Sequence, residues 1–186
     1  MNDFAGLCTA YRAQLQLRSS TLAAQISSRF RSIGAICESS RWLADRLRRA
    51  MTDPTMESIV ELGAGYGSVT RILPGHTVSI ERDPRRYEFL KERFPDRSIL
   101  DCCAVDYISS LSSPSIVVSS IPSINNPEFA RLRAAVAQSR DRGVVAELIT
   151  YTYFPHNPFD NIFTVEERTW LEFMNVPPAF VWRYKC

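Results

Sequence analysis

The stretch Val60-Glu61-Leu62-Gly63-Ala64-Gly65-Tyr66-Gly67 constrains this chain more than any other. An apolar run, Ile59-Val60, leads into an acidic residue, and glycines then recur at every second position. A segment of helical composition, Ser68 to Leu73, follows at once. Strand, tight glycine turn and helix in that order let a backbone come close to a nucleoside-containing ligand. The spacing is Gly-x-Gly-x-Gly, not the dinucleotide pattern Gly-x-Gly-x-x-Gly. Fourteen residues past Gly67 a second carboxylate, Glu81, ends another apolar run, Val78-Ser79-Ile80. A carboxylate there is placed to accept hydrogen bonds from both hydroxyls of a ribose. Together the motifs predict a nucleoside site at the carboxyl edge of a parallel sheet.

The rest of the chain supplies that sheet. Apolar, β-prone runs predict strands over Ser58–Leu62, Thr77–Glu81, Arg97–Leu100, Ile116–Ser119 and Val144–Thr150. Helical patterns lie between them at Ser68–Leu73, Pro84–Phe94 and Pro127–Arg140, with Pro84 and Pro127 suited to first-turn positions. Such βαβ alternation predicts a mostly parallel sheet covered on both faces. Thr169–Phe173 and Phe180–Tyr184 are aromatic runs joined by Asn175-Val176-Pro177-Pro178, which predicts a closing antiparallel hairpin. Ahead of the sheet, Phe4, Leu7, Tyr11 and Leu15, then Leu22, Ile26, Phe30 and Ile33, recur every three or four residues along one or two helices. A further helix is expected over Ser40–Met51 with Trp42, Leu43 and Leu47 inward. The chain of 186 residues thus divides into a helical extension, 1–54, and a sheet domain, 55–186.

Charge is unevenly spread. Residues 1–50 hold eight arginines against Asp3, Glu38 and Asp45, about +5, although the whole chain is only +2. A basic extension suggests an anionic surface as partner, whether membrane or polynucleotide; on a membrane the apolar stripe would enter the headgroup boundary while Arg12, Arg18, Arg29 and Arg31 meet the charge. The competing role for the stripe is to pack on the sheet domain. Five cysteines with no Cys-x-x-Cys pair indicate neither a disulfide framework nor a zinc site and fit a reducing cytosol. No apolar run approaches the roughly 20 residues of a membrane span.

A glycine turn after strand one, a ribose carboxylate after strand two and a terminal antiparallel hairpin resemble the class I S-adenosylmethionine-dependent methyltransferases. Several stretches resemble, within that group, the bacterial phospholipid N-methyltransferases, which methylate phosphatidylethanolamine. They are Gly34-Ala35-Ile36 with Ser39-Ser40, Ile80-Glu81-Arg82-Asp83-Pro84, Val118-Ser119-Ser120-Ile121-Pro122, Thr152-Tyr153-Phe154-Pro155 and the closing Val176-Pro177-Pro178-Ala179-Phe180-Val181-Trp182-Arg183-Tyr184. The resemblance implies an α/β, Rossmann-like, seven-stranded and mostly parallel sheet with a terminal antiparallel hairpin, plus an amino-terminal helical extension. It implies S-adenosylmethionine as cofactor, a lipid amine as substrate, and an anionic membrane as partner through the amphipathic extension. No nucleic-acid partner is expected. The implied location is cytoplasmic, peripheral to the inner membrane.

Position by position, the resemblance assigns Glu61, Gly63, Ala64, Gly65 and Gly67 to the methionine and ribose parts of the cofactor. Glu81, with Arg82 beside it, would hold the ribose. Ser39 and Ser40 would close over the cofactor, and Ser119 to Pro122 would form the floor beneath the methyl group. Where many relatives carry Asp-Ala for the adenine amino group, this chain has Cys103-Ala104, so Cys103 stands in the carboxylate's place and adenine recognition is weakened or passes to backbone groups. Tyr153 and Ser120 are the candidates for substrate contact and catalysis. Glu147, Tyr151 and His156 are further helpers near the end of strand five, and Tyr66, Tyr151, Tyr153 and Phe154 could receive a cationic amine on their ring faces.

Three other readings stand beside this one. Adenine N6 methylation needs a polar acceptor and a stacking ring after strand four, whereas this chain reads Ser120-Ile121-Pro122-Ser123 there. The acceptor is otherwise a small soluble amine, or the chain is a non-catalytic scaffold that binds the cofactor. No metal ligand set is predicted.

Overall fold

The structure, a computed structural model, describes residues 41–153, 155–163, 165–172, 175 and 178–185, with the side chains of 165–171 excluded. The expected helices between Phe4 and Ile36, and the cofactor-closing Ser39 and Ser40, lie outside the described residues, as does Phe154. Helix α1 (Arg41–Ala50) precedes β1 (Ile59–Leu62), β2 (Val78–Ile80), α2 (Pro84–Arg93), β3 (Ser98–Leu100), α3 (Ala104–Ser110) and β4 (Ser115–Ser119). Then come α4 (Phe129–Asp141), β5 (Val145–Thr152), β6 (Val165–Glu172) and β7 (Ala179–Lys185).

The strands form one sheet in the order β3-β2-β1-β4-β5-β7-β6. Pairing is parallel from β3 through β5, and β7 runs antiparallel to both β5 and β6. The mostly parallel α/β sheet closed by an antiparallel hairpin is therefore present. Its central strands carry side chains into apolar layers on both faces, which is why β1 and β4 are buried at every position and read as continuous apolar runs. On one face Val60, Leu62, Val117 and Leu148 pack with Ile108 of α3 and Phe129, Leu132 and Val136 of α4. On the other, Ile59, Val118, Ile149 and Val181 pack with Leu43, Ala44, Leu47 and Ala50 of α1.

Several expectations need correction. Helix α1 covers a face of the sheet and belongs to its compact unit, although the sequence reading placed this helix in the extension. Its buried positions are Leu43, Ala44, Leu47 and Ala50, so Trp42 points to solvent. Ser68–Leu73 forms only a 3-10 turn over Thr70–Ile72, because Pro74 arrives before a costly helix nucleus can be extended. Pro84 does occupy the first turn of α2, behind an Asp83 cap that accepts from the Arg85 and Arg86 N–H groups at 3.0 and 3.1 Å. Pro127 instead lies in the turn ahead of α4, which starts at Phe129. Helix α3 went unpredicted.

Candidate functional site

The carboxyl ends of the parallel strands form one edge, and the loops that leave it hold most of the described residues singled out above. After β1 the chain turns through Gly63, Gly65 and Gly67, all in the left-handed region with φ of 77°, 60° and 81°. A Cβ on Gly67 would stand 2.3 Å from the Phe94 ring, and one on Gly63 2.7 Å from Ile121. A Cβ on Gly65 would meet nothing within 4 Å. Gly63 and Gly67 are thus small because protein packs against them, whereas Gly65 borders open space.

Glu81, at the end of β2, is turned toward that space by two backbone donors. The Gly65 N–H reaches one carboxylate oxygen at 2.8 Å and the Asp83 N–H the other at 2.9 Å. A carboxylate has about four acceptor positions, so two donors leave room for two more, the number of hydroxyls on a ribose. Glu81 is 5% exposed. Arg82, next along the loop, is exposed.

Glu61 behaves differently. It is fully buried on the α1 face of β1, and one of its oxygens accepts from Ser79 Oγ at 2.6 Å and Thr70 Oγ1 at 2.7 Å. Its other oxygen has no protein partner. Burial raises the carboxyl above its ordinary value, and the two hydroxyl bonds and Arg97 only partly oppose this. Through Thr70 it clamps the segment after the glycine turn to β2. Sequence reasoning missed Thr70 and Ser79; the one signal was Ser79 interrupting an apolar strand.

The end of β4 forms the next wall. Ser119 is buried and its Oγ has no hydrogen-bond partner; the half-buried Ser120 Oγ has none either. The Ser120 N–H donates to Leu62 O at 2.9 Å, which fixes this corner against the start of the glycine turn. Orphaned buried hydroxyls are rare, and these two stand together at the carboxyl edge, beside the start of the glycine turn. Beyond them Asn125 holds φ 56°, and Asn126 bonds Pro122 O and the Glu128 N–H, so the Asn-Asn pair shapes the turn into α4.

On the β3 side, Cys103 is the N-cap residue of α3, Ala104 its first residue, and both are half-buried at the carboxyl edge. Burial raises the Cys102 thiol, with Cys103, Asp101 and Asp106 adding to the effect. On the β5 side, Tyr153 is exposed, with its ring edge-on to Tyr151 at 5.7 Å. His156 is exposed. Glu147 lies at the opposite end of β5, where it accepts from Thr52 N and Oγ1 at 3.0 and 2.7 Å, so it is a structural clamp remote from this edge. Trp182 and Tyr184 are core. No cluster of metal-binding side chains occurs among the described residues.

The open ground beside Gly65, the oriented Glu81 and the two orphaned hydroxyls suit an elongated nucleoside ligand with hydroxyls at one end. Comparison with known proteins points the same way. No family model matches the chain. An ornithine lipid N-methyltransferase from Singulisphaera acidiphila is 26% identical over 170 residues, covering 80% of this chain and 85% of that protein. Among solved structures, magnesium protoporphyrin IX methyltransferase from Synechocystis PCC 6803, with S-adenosylmethionine bound, superposes at TM-score 0.56 with 10% identity over 78% of each chain. An RNA methyltransferase from Salinibacter ruber, in complex with S-adenosylhomocysteine, reaches 0.55 with 16% identity over 77% of this chain and 89% of that one. The chain has the fold of these methyltransferases and resembles, in sequence, a bacterial lipid methyltransferase.

Proposed function

We propose that this chain is an S-adenosylmethionine-dependent N-methyltransferase whose acceptor is the amine of a membrane lipid such as phosphatidylethanolamine. Methyl transfer and the cofactor are supported by the fold and by the relatives above. The lipid amine rests on the ornithine lipid enzyme and, in this chain, on one observation: the wall after β4 offers two unpaired serine hydroxyls. Its first positions, Ser120-Ile121-Pro122-Ser123, hold no amide, carboxylate or stacking ring for a flipped base.

The residues present fit the cofactor. Glu81 would hold the ribose hydroxyls, the backbone at Gly65 would border the chain between ribose and sulfur, and the Cys103–Ala104 corner would border the base. Bound there, S-adenosylmethionine supplies an electrophilic methyl group on a sulfonium. The protein's task is then positioning, because methyl transfer needs an aligned lone pair in a site that excludes water. The acceptor amine must be neutral, since an ammonium has no lone pair. Ser120 Oγ, unpaired in the protein, accepts an N–H of that amine and aims its lone pair without competing as a base. The proton released leaves toward solvent at the open edge. The ring face of Tyr153 attracts the cationic product, an effect of about 0.5–2 kcal/mol.

Membrane attachment through the basic extension belongs to the same proposal, as does a place on the cytoplasmic face of the inner membrane. No helix among the described residues is long and apolar enough to cross a bilayer. The test is transfer of labelled methyl from S-adenosylmethionine with phosphatidylethanolamine vesicles, ornithine lipid vesicles and ribosomal RNA offered together. Label in either lipid supports the reading and ranks the two amines. Label in RNA alone replaces it.

A further inference from the structure

Among the described residues the exposed large apolar side chains are Trp42, Tyr66, Leu100, Ile124 and Tyr153, each 36–43% exposed. They are far apart in sequence but not in the fold. Tyr66 lies in the turn after β1, Leu100 ends β3, Ile124 is in the loop after β4, and Tyr153 follows β5. Those four strands are parallel, so all four side chains stand at the carboxyl edge, around the site. Trp42 joins them from another direction. Helix α1 is about 15 Å long. Just past its carboxyl end, Thr52 bonds Glu147 near the start of β5, while Arg46 pairs with Glu172 at the far end of β6, beyond the level of Thr152. The helix therefore runs against β5, and its first turn, with Trp42, rises to the same edge.

The charge at that edge has one dominant sign. The Arg41 guanidinium lies 4.6 Å over the Trp42 ring and that of Arg86 5.6 Å over the Tyr66 ring. Arg82 and Arg85 are exposed beside them. Of the facing acids, Asp83 is engaged in capping α2 and Glu81 in holding Gly65, which leaves Asp101 and, in the first turn of α3, Asp106 exposed against four arginines. Aromatic rings carrying arginines suit the boundary between headgroups and acyl chains, where rings and aliphatic side chains enter and guanidinium groups stay with phosphates.

We propose that the carboxyl edge of the sheet is itself a bilayer-docking face, with Trp42, Leu100 and Ile124 entering the interfacial layer and Arg41 and Arg86 meeting anionic headgroups. This rests on the lipid-amine reading and adds what that reading lacks. The site mouth opens onto the membrane plane, so a lipid amine reaches Ser120 while its acyl chains stay in the bilayer.

The experiment uses the full chain and vesicles free of any amine lipid, phosphatidylcholine with and without phosphatidylglycerol, so that binding is read independently of methyl transfer. Two double variants test the face, Trp42→Ser with Ile124→Ser and Arg41→Glu with Arg86→Glu. The control, Lys91→Glu, lies on the last turn of α2 at the opposite edge. The expected result is a loss of roughly tenfold or more in affinity for anionic vesicles in both double variants. The control should bind as the unaltered chain does, and affinity for S-adenosylhomocysteine should hold in all three. As a check free of folding losses, brominated lipid should quench the intrinsic fluorescence of the unaltered chain, with much of that quenching absent in Trp42→Phe. Unchanged vesicle affinity in the double variants, equal loss in the control, or no quenching from Trp42 overturns the proposal. If docking follows the prediction while no lipid is methylated, the substrate reading alone is wrong.

Discussion

The amide nitrogen of Gly65 donates a hydrogen bond, 2.8 Å long, to a carboxylate oxygen of Glu81, sixteen residues further along the chain. This bond ties the glycine turn after β1 to the loop after β2 and sets the direction of the carboxylate. Glu81→Ala should therefore weaken S-adenosylhomocysteine binding by about 1.5–3 kcal/mol, the range for hydrogen bonds to a charged group. Glu81→Gln, which keeps an acceptor oxygen, should lose less. Isothermal titration calorimetry reads both, and equal losses would refute the geometry.

Gly65→Ala and Gly67→Ala should separate binding from folding. At Gly67 a methyl group meets the Phe94 ring and an unfavourable φ, so stability should fall by about 2–4 kcal/mol in urea unfolding. At Gly65 the methyl group enters open space and the cost is backbone strain alone, about 1–2 kcal/mol. Its main effect should appear in cofactor affinity.

Glu61 gives a pH signature. Burial raises its folded carboxyl above the ordinary carboxylate range. The folded state then keeps a proton that the unfolded chain has released. Stability is greatest below the unfolded value, declines as pH rises toward the folded value, and is level above it. Glu61→Gln has no such titration, so urea unfolding across this range should show a smaller decline than in the unaltered chain.

Glu147 clamps the segment after α1 to β5. Glu147→Ala leaves the Thr52 N–H and hydroxyl without their shared acceptor in a partly buried setting. The expected loss is about 1–3 kcal/mol, measurable by thermal unfolding. Cofactor affinity should change little, because this residue is remote from the carboxyl edge.

What could be read from the residues followed from how narrowly each structure restricts residue choice. Alternate glycines and a carboxylate closing the second strand mark backbone conformations and a hydrogen-bonding role that few other residues fill, so the site's centre was legible. Helix α3 was not, because Ile108 is its one fully buried residue and Cys103-Ala104-Val105-Asp106 reads equally well as a loop. Hydrophobicity alone points Trp42 inward, but the buried stripe is set by Leu43 and Leu47 one turn apart, with Ala44 and Ala50 completing it. Thr70 and Ser79 were invisible because hydroxyl side chains occur everywhere, and their meaning lies in where Glu61 is buried. The proposed docking face is scattered over five segments; parallel pairing aligns four of them at their strand ends, and helix α1 brings in Trp42.

The strand order β5-β7-β6 has a consequence for how the protein is made. Synthesis delivers β5, then β6, but β6 has no place beside β5; its partner is β7, which is translated after it. At about 5–20 residues per second, β6 waits on the order of a second with its edges unpaired. The parallel half can assemble during translation, while its exposed β5 border and the waiting β6 are the surfaces a chaperone would meet.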